Sequence, residues 1–298
     1  MIRIREISLP PAHSVSQLSY EAAKLLRVSN STVRQVKIVK KSIDARKKPN
    51  IRVTYTIDVK VEGNEAKILK KSGCKKAEIA PWFSYKVKAV DWPMDDRPVV
   101  VGFGPAGMFA GLYLARAGAN PIIFERGAKV EERTSAVENY WKGGVLNERA
   151  NVQFGEGGAG TFSDGKLTTR INDPRCDFKT KELEKHGAPK EILSKAKPHI
   201  GTDMLIKVVK NIREEIISLG GEIHFLTKVD DIAVKNGRIV SVSAEGMEFP
   251  AENVIIAAGH SARDTFKMLK EKGVLMEAKP FSVGVRIEHL QSDINRAQ

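Results

Sequence analysis

The sequence predicts an α/β protein: a domain with a mainly parallel sheet, preceded by a small α+β domain of βαββ topology. Two apolar runs predict the parallel sheet. Residues 98–102 are followed at once by a glycine-rich turn and an Ala- and Leu-rich helical pattern, and residues 121–125 form the second run. The charge distribution predicts the separate small domain. Residues 1–90 hold 20 Lys and Arg against 7 Asp and Glu, which accounts for the whole net charge of +13.

The small domain is predicted from alternating and helical patterns of apolar side chains. These patterns indicate a strand at residues 1–8, a helix at 16–26 and two further strands at 36–45 and 51–61. Pro49 and Asn50 separate the last two strands and favour a hairpin. We therefore assign residues 1–90 to a small basic domain and residues 91–97 to a linker.

The larger domain, residues 98–298, opens with a strand–helix–strand unit. Its helix covers residues 104–117 and lies between the two apolar runs. Further along the chain, the patterns predict a helix at residues 203–219 and strands at 222–226, 229–234, 238–244 and 253–258. Asn236 and Gly237 form a turn signal between two of these strands.

Composition narrows the class of protein. The chain has 298 residues and is 42% hydrophobic, enough for one large domain or two modest ones. The sequence has neither the roughly 18–20 apolar residues in a row that a membrane span needs nor the apolar core of a signal peptide. Cys74 and Cys176 are far apart and form no dithiol motif, so we expect inert thiols. These features predict a cytoplasmic protein that is not bound to a membrane.

The glycine-rich turn matches the pattern G-x-G-x-x-G of a Rossmann-like dinucleotide site. Gly102 permits the tight turn, Gly104 lets a pyrophosphate approach the backbone, and Gly107 lets the helix lie close to the sheet. Pro105 presets the backbone of the first helical residue. The motif follows a buried strand and opens a helix, which is the context it requires. The alternative is a structural glycine turn in another kind of α/β protein.

Glu125 ends the second strand, 23 positions after Gly102. A carboxylate there can accept hydrogen bonds from ribose hydroxyls, and it would repel a 2′-phosphate, which disfavours NADP at this site. The alternative is a surface Glu125 that pairs with Arg126.

These motifs resemble the FAD-binding start of the glutathione-reductase-type flavoprotein superfamily. The resemblance rests on residues 99–107 and 124–127, and residues 151–167 and 254–264 narrow it to bacterial flavoproteins often described as NAD(FAD)-utilising dehydrogenases. It covers the whole chain. It implies an FAD-dependent oxidoreductase that passes a hydride or an electron pair through flavin, with NADH or NADPH as the candidate electron donor. The small-molecule substrate is not supplied by the resemblance.

The resemblance also implies site residues. The FAD pyrophosphate would lie on Gly102, Gly104, Ala106 and Gly107, and the adenosine ribose on Glu125. The adenine or phosphate end would lie near Arg126 and Arg133, with adenine paired to the backbone of Val229. The flavin or its ribityl chain would lie near Gly158, Ala159, Gly160 and Thr161, and a second backbone approach to FAD would come from Ala258 and Gly259.

Two of these segments indicate a ligand by their composition alone. Residues 155–160 contain four glycines in six positions, a density that regular structure tolerates poorly. A closely approaching ligand or backbone would explain it, and a flexible surface loop is the alternative. Residues 257–259 end a buried strand with Ala-Ala-Gly, which leaves room either for a cofactor or for a closely packed helix.

The motifs demand no catalytic residue, because flavin carries the electron chemistry itself. Lys166 could place a positive charge near the flavin, and His260 could face the flavin or the substrate, but a structural role is the alternative for both. The remaining histidines share no metal-ligand spacing, so we predict no metal site.

The basic domain leaves a second function open: a nucleic-acid-binding or RNA-modifying flavoprotein. Its cations could follow a phosphate backbone, although aromatic residues among them are sparse; they are Lys37, Lys40, Lys41, Arg46, Lys47, Lys48, Lys70, Lys71, Lys75 and Lys76. A solvated face that packs on the other domain or on an acidic partner is the simpler interpretation. A third option is an NAD-binding module without flavin.

Residues 279–288 predict a strand, the first of a substrate domain at about residues 279–298. Its partner strands are missing from the sequence, so we expect a protein truncated at its C-terminus and weak or absent FAD retention by these residues alone. The electron acceptor and the oligomeric state are left open.

Overall fold

The computed structural model describes residues 1–81, 85–93, 97–162, 165–169, 171, 173–285 and 287–297. Its strands are β1 (Ile2–Leu9), β2 (Val33–Asp44), β3 (Arg52–Val61), β4 (Ala77–Ile79), β5 (Val99–Val101), β6 (Ile122–Phe124), β7 (Glu222–His224), β8 (Val229–Lys235), β9 (Arg238–Ala244), β10 (Met247–Pro250) and β11 (Val254–Ile256). Its helices are α1 (Ser16–Leu26), α2 (Glu65–Ser72), α3 (Pro105–Arg116), α4 (Val130–Trp141), α5 (Arg175–Lys185), α6 (Thr202–Ser218), α7 (Arg263–Glu271) and α8 (Gln291–Ala297).

The first eighty residues fold around a core of their own. Strands β1 to β4 form an antiparallel sheet in the order β2-β3-β1-β4. Leu18, Ala22 and Leu26 are one helical turn apart on α1 and are buried in the core of this sheet. The predicted βαββ unit is present, but helix α2 and strand β4 were missed. Helix α2 is short and mostly polar, and β4 has only three residues, so neither produces a clear apolar period.

The larger domain is built on a parallel sheet in the order β11-β5-β6-β7. Alternate residues of β5 point to different cores. Val100 packs with Ile123 and helices α3 and α6 on one face, whereas Val99 and Val101 pack on the other face against the antiparallel sheet β8–β9–β10. Burial on both faces explains why β5 is a continuous apolar run in the sequence.

The parallel arrangement brings three chain segments to one edge of the sheet. Strands β5, β6 and β11 all end there, and the main chain continues the pairing just beyond them. Gly102 donates its N–H to Phe124 at 2.7 Å, and Ala257 donates its N–H to Val101 at 2.8 Å. The glycine-rich turn, Glu125 and residues 257–259 are therefore neighbours.

The antiparallel sheet β2-β3-β1-β4 and the larger domain are joined by main-chain and aromatic contacts. Lys41 on β2 donates its N–H to Ser194 at 2.7 Å, and Ala196 donates to the Lys41 carbonyl at 2.9 Å. Tyr85 precedes the predicted linker, and the centre of its ring lies 4.9 Å from the ring centre of Phe178 on α5. Linker positions 94–96 lie outside the described residues.

The predicted strand at residues 279–288 was wrong for the residues that the structure describes. Positions 279–285 and 287–288 form no strand, and Phe281, Val283 and Val285 are more than 80% exposed. In the described part of the chain no strand lies beside this segment to pair its N–H and C=O groups, and an apolar alternation alone does not hold a strand.

Among the described residues, no helix is both long enough and apolar enough to cross a membrane.

Helix α6 allows a matched test of the core. Ile212 on α6 is fully buried in the core that this helix shares with α3, whereas Ile217, also on α6, is 51% exposed. We expect Ile212→Ala to lower the free energy of unfolding by about 3 kcal/mol, because it leaves a cavity in the core. Ile217→Ala should cost under about 0.5 kcal/mol. Urea denaturation measures both, and equal costs would contradict this packing.

Candidate functional site

A cleft of about 770 Å³ opens at the edge of the parallel sheet where β5, β6 and β11 end. Its walls are the glycine-rich turn, residues 124–126, a second glycine loop at residues 155–160, the start of β8, and residues 256–261. Twelve of the fifteen predicted site residues line this cleft: Gly102, Gly104, Pro105, Ala106, Glu125, Arg126, Gly158, Ala159, Gly160, Val229, Ala258 and Gly259. Gly107, Arg133 and Thr161 lie behind its walls.

The two outer glycines of the turn are required by packing. Gly102 has a φ of 99°, and a Cβ there would lie 2.6 Å from the carbonyl oxygen of Ala257. A Cβ on Gly107 would lie 1.9 Å from the carbonyl oxygen of Gly102, so only glycine lets α3 start this close to the turn.

The middle glycine faces the cleft. Gly104 precedes α3, and a Cβ on it would make an ordinary contact of 3.7 Å with the Cα of Gly158. No side chain caps α3, and Pro105 occupies its first turn. The N–H groups in the first turn of α3 have no partner within the helix, and the helix dipole adds partial positive charge there. The start of α3 is therefore suited to an anion.

Glu125 is buried beside this turn, with 4% of its surface exposed. Its Oε2 accepts the N–H of Phe103 at 2.7 Å, and its Oε1 accepts the N–H groups of Gly127 at 2.8 Å and Gly155 at 3.0 Å. A carboxylate has about four acceptor positions. Three are occupied by backbone N–H groups, which leaves one acceptor position on Oε2 of a side chain that lines the cleft.

The second glycine loop is ordered and packed. Residues 155–158 are buried, and Gly155, Gly157 and Gly158 have φ values of 116°, 80° and 63°. Gly157 donates its N–H to the carbonyl of Phe103 at 2.9 Å, which ties this loop to the first. The alternative of a flexible surface loop does not fit this burial and bonding.

Arg133 and Thr161 hold the second loop from behind. The fully buried Arg133 guanidinium donates to the carbonyl oxygens of Asn151 at 2.8 Å, Val152 at 2.9 Å and Glu156 at 2.6 Å. Burial lowers the pKa of Arg133 to about 10, so it remains charged at neutral pH. Thr161 is also buried and donates to the Glu156 carbonyl at 3.4 Å.

Arg126 forms one wall of the cleft. Its Nη2 donates to Asp264 at 3.0 Å and to Thr265 at 3.1 Å, and its guanidinium lies 4.6 Å from the ring centre of Phe154. Burial opposes ionisation of Asp264, but hydrogen bonds from Arg126 and Lys228 outweigh it and hold the pKa of Asp264 at about 2. Arg126 therefore pairs with Asp264, and the alternative in which it pairs with Glu125 does not apply.

Two candidates for chemistry lie in different places. His260 and Ser261 line the cleft just after residues 257–259, which follow β11. Lys166 is exposed, lies outside the cleft lining and forms a backbone bridge with His199.

Sequence reasoning missed the charged residues behind the second loop. Glu156 is fully buried, and its Oε2 accepts from the guanidinium of Arg213 on α6 at 2.7 Å. Arg213 falls among charged residues of an amphipathic helix, where a solvated side chain is the usual expectation. No local signal in the sequence points to this pair.

A comparison with models of protein families shows which family of α/β proteins the chain belongs to. Residues 96–282 match the model of the pyridine nucleotide-disulphide oxidoreductase family, a match that covers more than half of the chain. The chain belongs to this family. Membership confirms the predicted fold class and the predicted resemblance to FAD/NAD(P)-binding oxidoreductases. Residues 1–60 match a second model, DUF8436, described as a domain of unknown function.

Individual relatives match this chain over only part of their own length. A protein of Clostridium beijerinckii, described only as an uncharacterized protein, is 48% identical over 295 residues, which cover 99% of this chain and 55% of that protein. The thiamine thiazole synthase of Pyrococcus furiosus is 26% identical over 183 residues, 57% of this chain and 60% of that protein. The chain thus spans about half the length of the curated relatives it matches.

One solved structure is also partly similar to this chain. The crystal structure of Thermovibrio ammonificans THI4 is 18% identical, with a TM-score of 0.41 over 60% of this chain and 64% of that one.

The glycine-rich turn yields a test of the packing. We expect Gly107→Ala to lower the free energy of unfolding by about 3 kcal/mol, because backbone must move to admit the Cβ. Gly160→Ala is the matched control, since a Cβ there has nothing within 4 Å and the φ is not in the left-handed region. Thermal unfolding of both variants gives the comparison, and an unchanged midpoint for Gly107→Ala would refute the close approach.

Proposed function

We propose that the protein is an FAD-dependent oxidoreductase whose cofactor lies in the cleft at the edge of the parallel sheet. The observation that carries this proposal is Glu125. Its buried carboxylate adjoins the uncapped start of α3 and keeps one acceptor position free. A diphosphate on the helix start and a ribose hydroxyl on Glu125 would satisfy both groups at once.

The second glycine loop supports a flavin dinucleotide at this site. Gly158, Ala159 and Gly160 line the cleft together with residues 257–259, and none of these residues has a side chain beyond Cβ. Small residues in both segments leave room for a wide, flat group. An NAD-binding module without flavin needs only the first loop, so the second loop favours FAD.

The residues at the site orient and enclose the cofactor. When bound, the flavin supplies the hydride or electron transfer, and the protein tunes and shields it. Arg126 and Phe154 would border the adenine end, with Val229 offering backbone groups to adenine. The carboxylate of Glu125 disfavours a 2′-phosphate. We propose NADH or NADPH as the electron donor.

Gly104 provides a test that separates binding from folding. Gly104→Ala should fold normally, because its Cβ meets only an ordinary contact, but the methyl group would stand where a pyrophosphate approaches the backbone. We expect the dissociation constant for FAD to rise about tenfold, or about 1.4 kcal/mol. Titration of the chain with FAD, followed by flavin fluorescence, measures it.

Gly284→Ala is the matched control, because Gly284 has nothing within 4 Å of its Cβ and lies outside the cleft lining. It should bind FAD as the unchanged protein does. Equal affinity of the Gly104 variant, or uptake of NAD in place of FAD, would each count against the proposed function.

A further inference from the structure

Arg133 on α4 lies directly behind the second glycine loop and is fully buried. Its Nε donates to the carbonyl of Asn151 at 2.8 Å, and its Nη2 donates to the carbonyl of Val152 at 2.9 Å. Its Nη1 donates to the carbonyls of Glu156 at 2.6 Å and Gly155 at 3.4 Å. One guanidinium thus binds four backbone carbonyls, two just before the loop and two at its start.

Arg133 also packs against both ends of the loop. Its guanidinium carbon lies 4.8 Å from the ring centre of Phe162, which follows the loop. Its stem fits closely against Gly155, where a Cβ would lie 2.5 Å from the Cδ of Arg133. The side chain therefore contacts the start of the loop and the segment that follows it.

The N–H groups of the same loop bond on the side of the cleft. Gly155 donates to Oε1 of Glu125 at 3.0 Å, and Gly157 donates to the carbonyl of Phe103 at 2.9 Å. Without the guanidinium, the carbonyls that it binds would be left in a largely buried segment with no donor, and unpaired buried acceptors are costly. The loop would turn to find other donors, and such a turn would carry its N–H groups away from Glu125 and Phe103.

The shape of the Arg133 guanidinium, rather than its charge, fits this role. Its hydrogen-bond acceptors among the described residues are all backbone carbonyls, whereas the guanidinium groups of Arg126 and Arg213 bond carboxylates. A guanidinium spreads its N–H donors over three nitrogens in one plane. The ammonium group of a lysine has its donors on one nitrogen, so it cannot reach all four carbonyls.

Arg133 does not line the cleft, although the resemblance implies a place for it near the adenine or phosphate end of FAD. We propose that Arg133 is the positioning residue of the second glycine loop: the fan of its N–H groups fixes the loop in the arrangement that accepts FAD. The part of this inference that concerns FAD rests on the proposed function, whereas the part that concerns the loop does not.

Hydrogen exchange of the ligand-free chain tests the loop directly. In Arg133→Lys we expect the amides of residues 155–158 to lose about tenfold in protection, because the loop opens locally, while the amides of β5 and β6 keep theirs. Arg149→Lys is the matched control, since it makes the same change at an exposed arginine that pairs with Glu245. It should behave as the unchanged protein does.

A second control separates positioning from stability. Ile216 is fully buried in the core that α6 shares with α3, and it lies beside Gly221, which precedes β7 at the end of the sheet opposite the cleft. Ile216→Ala should lower the melting temperature, because it leaves a cavity, yet the loop should keep its protection. If Arg133 only added stability, Arg133→Lys and Ile216→Ala would affect the loop equally.

FAD titration, followed by flavin fluorescence, tests the consequence for binding. Arg133→Lys should bind FAD about tenfold more weakly than the unchanged chain, because a loop that is not preorganised must be ordered at the cost of affinity. Arg149→Lys and Ile216→Ala should stay within about twofold of the unchanged affinity. Affinity would then follow the order of the loop rather than the melting temperature.

The Gly104 variant distinguishes the two proposals. If Gly104→Ala weakens FAD binding while Arg133→Lys keeps full loop protection and affinity, the positioning role is refuted and the proposed function stands. If Arg133→Lys loses loop protection while Gly104→Ala binds FAD as the unchanged protein does, the proposed function fails and the role of Arg133 in the loop stands.

The unchanged chain decides if Arg133→Lys fails to fold. The Nε–H of Arg133 and the amides of residues 155–158 should open together, so we expect their protection factors, measured by NMR, to agree within about threefold. Protection of the Nε–H that is weaker than that of the loop amides by more than this factor would overturn the inference.

Discussion

The site depends on one buried carboxylate that is bonded to backbone. Glu125 accepts N–H groups from Phe103, Gly127 and Gly155, which belong to three different segments of the chain. Hydrogen bonds to an ionised acceptor are about twice as strong as neutral ones, and three of them offset much of the cost of burying the charge. The carboxylate thereby fixes the relative positions of the two glycine loops before any ligand arrives.

The parallel sheet makes this arrangement available. Strands β5, β6 and β11 run in the same direction, so the residues that follow them meet at one edge. Apolar packing on both faces leaves the backbone groups at that edge as the polar surface on which a ligand can bind. A glycine at position 107 then lets α3 approach so closely that its free N–H groups border the cleft.

Sequence reasoning reached the features that are local. The apolar run at Val99–Val101, the glycine spacing after it and Glu125 after the second strand follow from backbone requirements that lie within one strand–helix–strand unit. It could not reach Glu156 and Arg213, because these residues are 57 positions apart and their pairing depends on how α6 packs. The predicted strand at residues 279–288 was wrong for the residues that the structure describes, because an alternation of apolar residues indicates an apolar face but supplies no partner strand.

The buried acidic and basic side chains behind the cleft neutralise one another, so the backbone is left as the part of the site that can bind an anion. Glu125 and Glu156 face Arg133 and Arg213, so these four buried or nearly buried groups carry no net charge. Among the described residues that line the cleft, Arg126 is the permanently charged cation, and Asp264 neutralises it. A diphosphate there would therefore be held by helix N–H groups and the helix dipole. Such donors are fixed in position by the fold, so their accuracy depends on the two glycine loops, and the buried charges behind those loops become part of the binding site without touching the ligand.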